Sequence, residues 1–496
     1  MDSLAPVRAS SVADASHQSA PLLASEGDTE FAFLLARYAS GLRLADLPAA
    51  AIAAAKTNIF DTLACAVAGS TAPAVREVVD LAAEWSGAQQ ATILAFGQKV
   101  PAHHAAWVNG TMAHARDYDD THDAAVLHAG VTVVPAALAA AELRGGLGDP
   151  VSGADFIAGV AVGLEVVCRL GVATRIGIIE SGFIYTPLFG HFGATVAAAR
   201  VMALDEVQTI NAIGIAYSQV AGNHQVTRDA AMTKRMQPGF AAQAALLSVQ
   251  LAQRNIRGVQ HTFDGVDGFL RVYLHGRCDP VALRDGLGSH YEFTELSYKP
   301  YPCCRFNHTA IDAALALRAA QKCDPATIRR IEVRTNRQAY EAVCTPVDMR
   351  KSPKTIVQAQ FSIPYAVAVA LTDGHVGLAH FTEQGLQRAD ILELAARVEG
   401  VVSSDIERDW SRNISPAHVL IEMVGGAVHE MRVDYPSGHP RQPMSAADFD
   451  RKMDDCVGFS ATRLPADARQ RLRRTVDDLE TAPDATVLLR ALVPNA

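Results

Sequence analysis

Residues 45–69 read ADLPAAAIAAAKTNIFDTLACAVAG, and their reading decides the fold class. Asp46 can cap a helix N-terminus, Pro48 suits a first turn, where its missing N–H is harmless, and Gly69 supplies a stop. Between these signals the chain is small or apolar on several faces. A helix of that kind buries more than one side, and its small side chains let neighbours approach closely. The pattern therefore predicts a core helix of a large bundle. It recurs outward along the chain, over 74–86, 102–116, 131–144, 153–172, 190–203, 206–220 and 239–254.

The chain has 496 residues, 49% hydrophobic content and a formal charge of −9, enough for two or more domains with substantial cores. The acidic balance argues against nucleic acid as a bulk partner, though not against a local cationic pocket. Eight cysteines, scattered and never in CxxC pairs, read as reduced thiols of a cytoplasmic protein. Residues 1–28 are rich in Ala and Ser, carry Asp2, Asp14, Glu26 and Asp28, and have no long apolar run. They read as a flexible tail rather than a targeting signal. Glu165 and Arg169 interrupt the apolar run Ile157–Ala173, which suits a buried helix better than a membrane span.

Composition changes near Phe293. Residues 329–335 (RRIEVRT) alternate polar and apolar, as a half-buried strand does. Residues 418–423, the pair Gly425–Gly426 and residues 427–433 read as a hairpin. Helices are expected over 309–321, 361–371 and 391–398. Prolines at 436, 440 and 443 then break the chain, and Ser445 offers an N-cap for a last helical region. The expected fold is mainly α: an all-helical domain over 29–293, an inserted α+β domain over 294–435, and a return to the helical domain over 436–496.

Residues 115–130, ARDYDDTHDAAVLHAG, interrupt this apolar background. Asp117, Asp119, Asp120 and Asp123 crowd together, with Thr121, His122 and His128 beside them. Burying a carboxylate without a partner is costly, so the knot either faces solvent or lines a polar cavity. Two further stretches point to a cavity. Within 222–242, Lys234 and Arg235 precede Gly239, which opens an apolar helix. Cations ahead of a helix N-terminus make an anion cradle, because free N–H groups add to their charge. Within 297–308, Pro300 and Pro302 force an extended path that presents Lys299, Arg305 and His308 together. One acidic knot and two cationic segments at the edges of two domains describe a cleft that grips a small anion. The bland alternatives are an exposed charge run, a basic turn and a linker with incidental charges.

Asp119, Asp120, His122, Asp123 and His128 are metal-ligand types, but HExxH, paired CxxC and EF-hand patterns are missing from the sequence, so no metal is expected. GxGxxG, GxxxxGK[ST] and GxSxG are missing too, which argues against nucleotide cofactors and a serine nucleophile. Cys303 and Cys304 read as structural thiols before nucleophiles.

Taken together, these stretches resemble the MmgE/PrpD family. The matching residues are DYDDTHD (117–123) followed by His128, the Gly-Phe segment at 182–194, KRMQPGFAA (234–242), DGFLR (267–271), KPYPCCRFNHTAIDA (299–313), QFSIPYAVA (360–368) and PSGHP (436–440). The resemblance implies a helical domain with a lid-like α+β insertion, a homodimer, no metal or organic cofactor, and a site between the domains for small di- or tricarboxylates. It also implies lyase chemistry: dehydration of a 2-methylcitrate-like hydroxy acid, or cis-aconitate decarboxylation. Epimerisation of a dicarboxylate such as iminodisuccinate is the alternative. The decarboxylase-type site falls on Asp117, Thr121, His128, Lys234 and Lys299. Ile184 and Cys304 stand where decarboxylase relatives carry histidines, which argues against decarboxylation. His308 matches a histidine found more generally in the family.

Each of these reactions builds charge on a carbon beside a carboxylate. Lys234 and Lys299 would stabilise that charge, with Arg235 and His308 as further substrate-binding candidates. His128 is the expected base. Asp117 and Thr121 would orient it or bind a substrate hydroxyl, and Tyr185 and Cys304 are candidate second acids.

Overall fold

The computed structural model describes residues 30–321, 323–410 and 415–494, so the expected tail lies outside the described residues. The helices expected in the N-terminal half form with adjusted ends: Val75–Glu84, Ala102–His114, Gly130–Gly146, Gly153–Ala173, Tyr185–Val201, Glu206–Tyr217 and Gln237–Ala252. The decisive stretch forms Ala49–Gly69, but Asp46 does not cap it. The Asp46 carboxylate instead accepts from the Arg43 backbone N–H (2.9 Å) and guanidinium, closing a short turn over Leu44–Asp46. A neighbouring arginine is the stronger, charge-assisted partner.

Small residues set how closely these helices cross. A methyl group on Gly69 would lie 1.9 Å from the Met112 carbonyl oxygen, and one on Gly110 would lie 2.9 Å from Gly239 Cα. The backbones of Ala102–His114 and Gln237–Ala252 thus touch without intervening side chains. That contact brings the end of the first helix, at His114, toward the segment just before the second, at Lys234.

Gly153–Ala173 is long and apolar enough to cross a membrane by length and composition, as is Ala49–Gly69, but 94% of its apolar window is buried inside the fold. Glu165 and Arg169, one turn apart, pair within it. Arg169 also donates to the carbonyls of Asp285 (2.7 Å) and His290 (2.7 Å), which ties down the chain leading to the second core. A buried arginine is tolerable only with its donors satisfied in this way.

Two large cores stand out among the described residues, beside a small cluster of Phe33, Ala36 and Ile210. The second, running from Cys303 to Ile421, is built on a four-stranded sheet in the order Val398–Val402, Ile328–Thr335, Ala417–Met423, Val428–Val433. Ile331, Val333, Val419 and Ile421 face the helices His308–Gln321 and Ile363–Asp373, while Arg330, Glu332 and Glu399 pair on the other face. The strand Val398–Val402 corrects the reading of 391–398 as helix. The helix is Ala389–Ala395, and the chain then pairs parallel to Ile328–Thr335. Five residues with a glycine at their centre carry too little alternation to announce a strand.

Ser445 caps Ala446–Gly458, with Asp448 completing a capping box. This helix and Ala468–Asp477 rejoin the first core through Met453, Cys456, Leu472 and Val476. Lys452 reaches inward to the Asp61 carboxylate and the Tyr118 carbonyl (2.7 Å), and so fastens the acidic knot from the far end of the chain.

Candidate active site

The knot is buried and does not face solvent: Asp119 and Asp120 have no exposed surface, and Asp117 and Asp123 are also buried. Each carboxylate is satisfied differently. Asp120 accepts from the N–H groups of Ala129 (3.1 Å) and Gly130 (3.2 Å) at the start of Gly130–Gly146, where helix N–H groups lack partners. Burial and the Asp119 charge outweigh those bonds and push its pKa up to about 7. Asp123 accepts from Ser297 Oγ (2.7 Å) and Arg305 Nε (3.3 Å). Asp119 meets His114 Nδ1 at 2.8 Å and His128 Nδ1 at 3.4 Å.

Asp117 joins the two cationic segments. Lys299 Nζ donates to its Oδ1 (2.6 Å) and to its backbone carbonyl (3.0 Å), and Lys234 Nζ donates to its Oδ2 (3.2 Å). Burial pushes the carboxyl up, but the two ammonium groups outweigh it and hold Asp117 well below the ordinary carboxylate range. Asp117 also sits at φ 55°, a conformation that costs a non-glycine residue roughly 1 kcal/mol or more. The two hydrogen bonds from Lys299 lock that turn. The antiparallel pair Thr121–His122 with Leu296–Ser297 sets the spacing, since it lays the Lys299 segment along the knot.

His128 Nδ1 approaches the Asp120 carbonyl at 2.5 Å, and Thr121 Oγ1 lies 3.3 Å from the same nitrogen. A carbonyl only accepts, so Nδ1 carries the proton and Nε2 keeps its lone pair. The His128 backbone N–H donates to Thr186 Oγ1 (2.9 Å). Burial pulls the imidazole pKa down to about 4, against an opposing pull from Asp119. The ring is neutral at pH 7 and able to take a proton.

Lys299 has no exposed surface, so its contact is with Asp117 rather than with solvent. Lys234 is different: its side chain is 20% exposed, lies 5.5 Å from the Phe361 ring centroid, and has its third N–H free of Asp117 and His114. Arg235 turns away to the Pro73 carbonyl (3.1 Å). His308 lies between Arg305 Nη1 (3.2 Å) and the Cys303 carbonyl (3.3 Å) and is fully buried. Burial and the Arg305 charge hold it well below the usual imidazole range, so it stays neutral. Tyr185 donates its hydroxyl to the Ile176 carbonyl and packs on Phe189, which directs it away from the cluster's hydrogen bonds. The Cys304 thiol is pushed up to about 11 by burial and by Asp117, and remains protonated.

The reading of the sequence did not single out His114, Gln360 or Phe361. Gln360 Nε2 donates to the Arg116 carbonyl (2.7 Å), and the Gln360 carbonyl accepts from the Cys304 N–H (2.9 Å), which seams the second core to the knot. Its presence in a quoted motif was the available signal. His114 lacked one, because it ends a helix whose every face is buried.

His114, Asp119 and His128 bring donor atoms within 4.8 Å of one another, a spacing that a divalent ion could use. The hydrogen bonds fit a metal poorly. Lys234 can only donate, so His114 Nε2 is a lone pair and Nδ1 carries the proton given to Asp119. An ion at Nδ1 would displace that proton with two ammonium groups close by.

A helical domain interrupted by an α+β unit, with a buried acid–base cluster where they meet, defines the class. The chain belongs to the MmgE/PrpD family: the MmgE/PrpD N-terminal domain matches residues 34–280 and the C-terminal domain matches residues 301–481. It is 28% identical to a cis-aconitate decarboxylase of Aspergillus terreus, over 83% of this chain and 86% of that one. It is 26% identical to the cis-aconitate decarboxylase-like protein oryM of Aspergillus oryzae, over 92% and 95%. It is also 26% identical to the human cis-aconitate decarboxylase, over 91% and 92%.

The two lysines should separate on mutation. Lys299→Met leaves Asp117 buried with one cation fewer and should lower the unfolding free energy by about 3–5 kcal/mol in denaturant titrations. Lys234→Ala also takes a cation from Asp117, but at a position 20% exposed where water can replace the ammonium, so it should cost measurably less than Lys299→Met. Equal losses would show that burial does not distinguish them.

Proposed function

We propose that the protein is a cofactor-independent lyase that removes water from a small hydroxylated di- or tricarboxylate of the 2-methylcitrate kind. What supports this reading is the neutral imidazole of His128, its Nδ1 proton held by the Asp120 carbonyl, in one cluster with a Lys234 ammonium whose bonds to Asp117 and His114 leave a third N–H over. Lys234 binds the carboxylate next to the reacting carbon. His128 Nε2 takes the proton from that carbon, and the electron pair moves toward the carboxylate, where the ammonium stabilises it. The C–O bond then breaks, and hydroxide leaves as water after taking a proton. The Cys304 thiol supplies that proton in this reading, because burial keeps it protonated. Tyr185 could serve only by releasing the Ile176 carbonyl. Thr121 steadies His128, and Asp117 sets the lysine that binds the substrate.

A second reading is decarboxylation, favoured by the names of the relatives. A third is epimerisation, favoured by Ile184, which leaves no protic group at a position where decarboxylase relatives carry histidine. One experiment separates them. Candidate acids are incubated with the protein in D₂O and followed by mass and optical rotation. Loss of water supports the dehydratase, and loss of CO₂ replaces it with a decarboxylase. Deuterium uptake with loss of rotation and no mass loss replaces both with an epimerase.

Dependence on pH follows from His128. Its pKa lies near 4 rather than in the ordinary range, so the base stays competent as the solution is acidified through pH 6. The acid limb of kcat/KM should fall well below pH 6; a limb at 6.5 would remove His128 as the base. Lys234→Ala should abolish turnover while leaving circular dichroism unchanged.

We also read the protein as a homodimer. Trp85 and Phe240 are exposed on either side of Trp107, with ring centroids 5.6 and 6.1 Å from it, and Leu247 extends the apolar strip along the same helix. Such a strip is commonly covered by a partner. Light scattering should give twice the chain mass, and Trp85→Glu should halve it; a wild-type monomer would refute this.

A further inference from the structure

We propose that His114 is a positioning residue of the site, which aims the Lys234 ammonium at the substrate carboxylate and divides the Asp119 charge between two imidazoles. The proposal rests on the lyase reading for its kinetic test but not for its structural one.

The observations are geometric. Lys234 Nζ lies 3.3 Å from His114 Nε2 and 3.2 Å from Asp117 Oδ2. These two acceptors occupy two of the three ammonium N–H groups and fix the direction of the third. A long, flexible lysine held by one acceptor swings; held by two, it points. His114 can accept only through Nε2, because Asp119 takes the Nδ1 proton at 2.8 Å. Asp119 therefore selects the tautomer that makes His114 an acceptor.

The same carboxylate oxygen reaches the second imidazole. Asp119 Oδ2 is 3.4 Å from His128 Nδ1, and the two rings have centroids 5.1 Å apart. Asp119 Oδ1 is buried and has no hydrogen-bond partner among the described residues. One fully buried carboxylate thus serves two rings, and His114 takes the shorter contact. Asp117, Asp119, Lys299 and His114 act electrostatically on His128, while Thr121 and the Asp120 carbonyl contact Nδ1 directly. Among these, only Asp119 is shared with His114 at contact distance, so removing His114 turns the whole Asp119 charge toward His128. An undivided carboxylate favours the imidazolium and moves the protonation of His128 to higher pH.

The test has two arms. Without substrate, ¹⁵N-histidine NMR of the wild-type protein should show His114 with its proton on Nδ1 and a bare Nε2. A protonated Nε2, or a change of these signals on treatment with a chelator, would overturn the proposal. With an acid that is turned over, His114→Phe should raise KM by roughly tenfold, the worth of one orienting hydrogen bond. It should also move the acid limb of kcat/KM upward. His114→Gln, whose amide oxygen can accept from Lys234, should recover most of the KM and leave the limb raised. Equal impairment in both variants with an unmoved limb would mean that His114 serves only packing, and wild-type kinetics in both would reject the role outright. If His114→Phe does not fold, His114→Gln and the NMR arm still decide. If no acid is turned over, the lyase reading fails, and the tautomer measurement alone judges the arrangement.

Discussion

The structure depends on one carboxylate held between two ammonium groups. Asp117 lies at the centre of a buried cluster, in a backbone conformation that an aspartate adopts at some cost, with a lysine from 117 residues away on one oxygen and a lysine from 182 residues away on the other. Burying a charge is unfavourable unless it is matched, and here the match requires three segments to arrive together. The close crossing at Gly110 and Gly239 delivers Lys234. The short antiparallel pair between 121–122 and 296–297 delivers Lys299. Any fold that failed to bring both would leave a naked carboxylate in an apolar interior.

The knot as a whole follows the same logic with different partners. Helix N–H groups balance Asp120, an arginine and a hydroxyl balance Asp123, and imidazoles balance Asp119. The charge total is distributed rather than cancelled in pairs, and that distribution separates the pKa values of neighbouring acids. Asp120 rises to about 7 while Asp117 falls well below the usual range. Environment, not residue type, assigns the roles.

Much of this was legible in the sequence. The helices announced themselves through small residues, stops and caps, and Ser445 with Asp448 marked the return of the chain. The three stretches that form the site could be named because dense charge in an apolar context has few explanations. What the sequence hid was direction. Lys299 and Lys234 look alike on paper, yet one is sealed against Asp117 and the other faces outward, because contacts across more than a hundred residues decide exposure. His114 was invisible for the reason that makes it useful: it ends a helix buried on every side, and its partners come from elsewhere. Asp46 and the strand Val398–Val402 were misread because a neighbouring arginine and a parallel edge pairing overrode local preference.

Lys452 has a consequence for how the molecule is made. The residue that secures Asp61 and the Tyr118 carbonyl stands 391 and 334 residues after them. A nascent polypeptide emerging from the ribosome can assemble most of its helices, and even pair Glu165 with Arg169, long before that lysine exists. Until it emerges, Asp61 lacks its cation and the turn around Tyr118 lacks its anchor. A chain that stops before residue 452 therefore keeps the Glu165–Arg169 pair but leaves Asp61 without the Lys452 ammonium and the Tyr118 carbonyl without its donor.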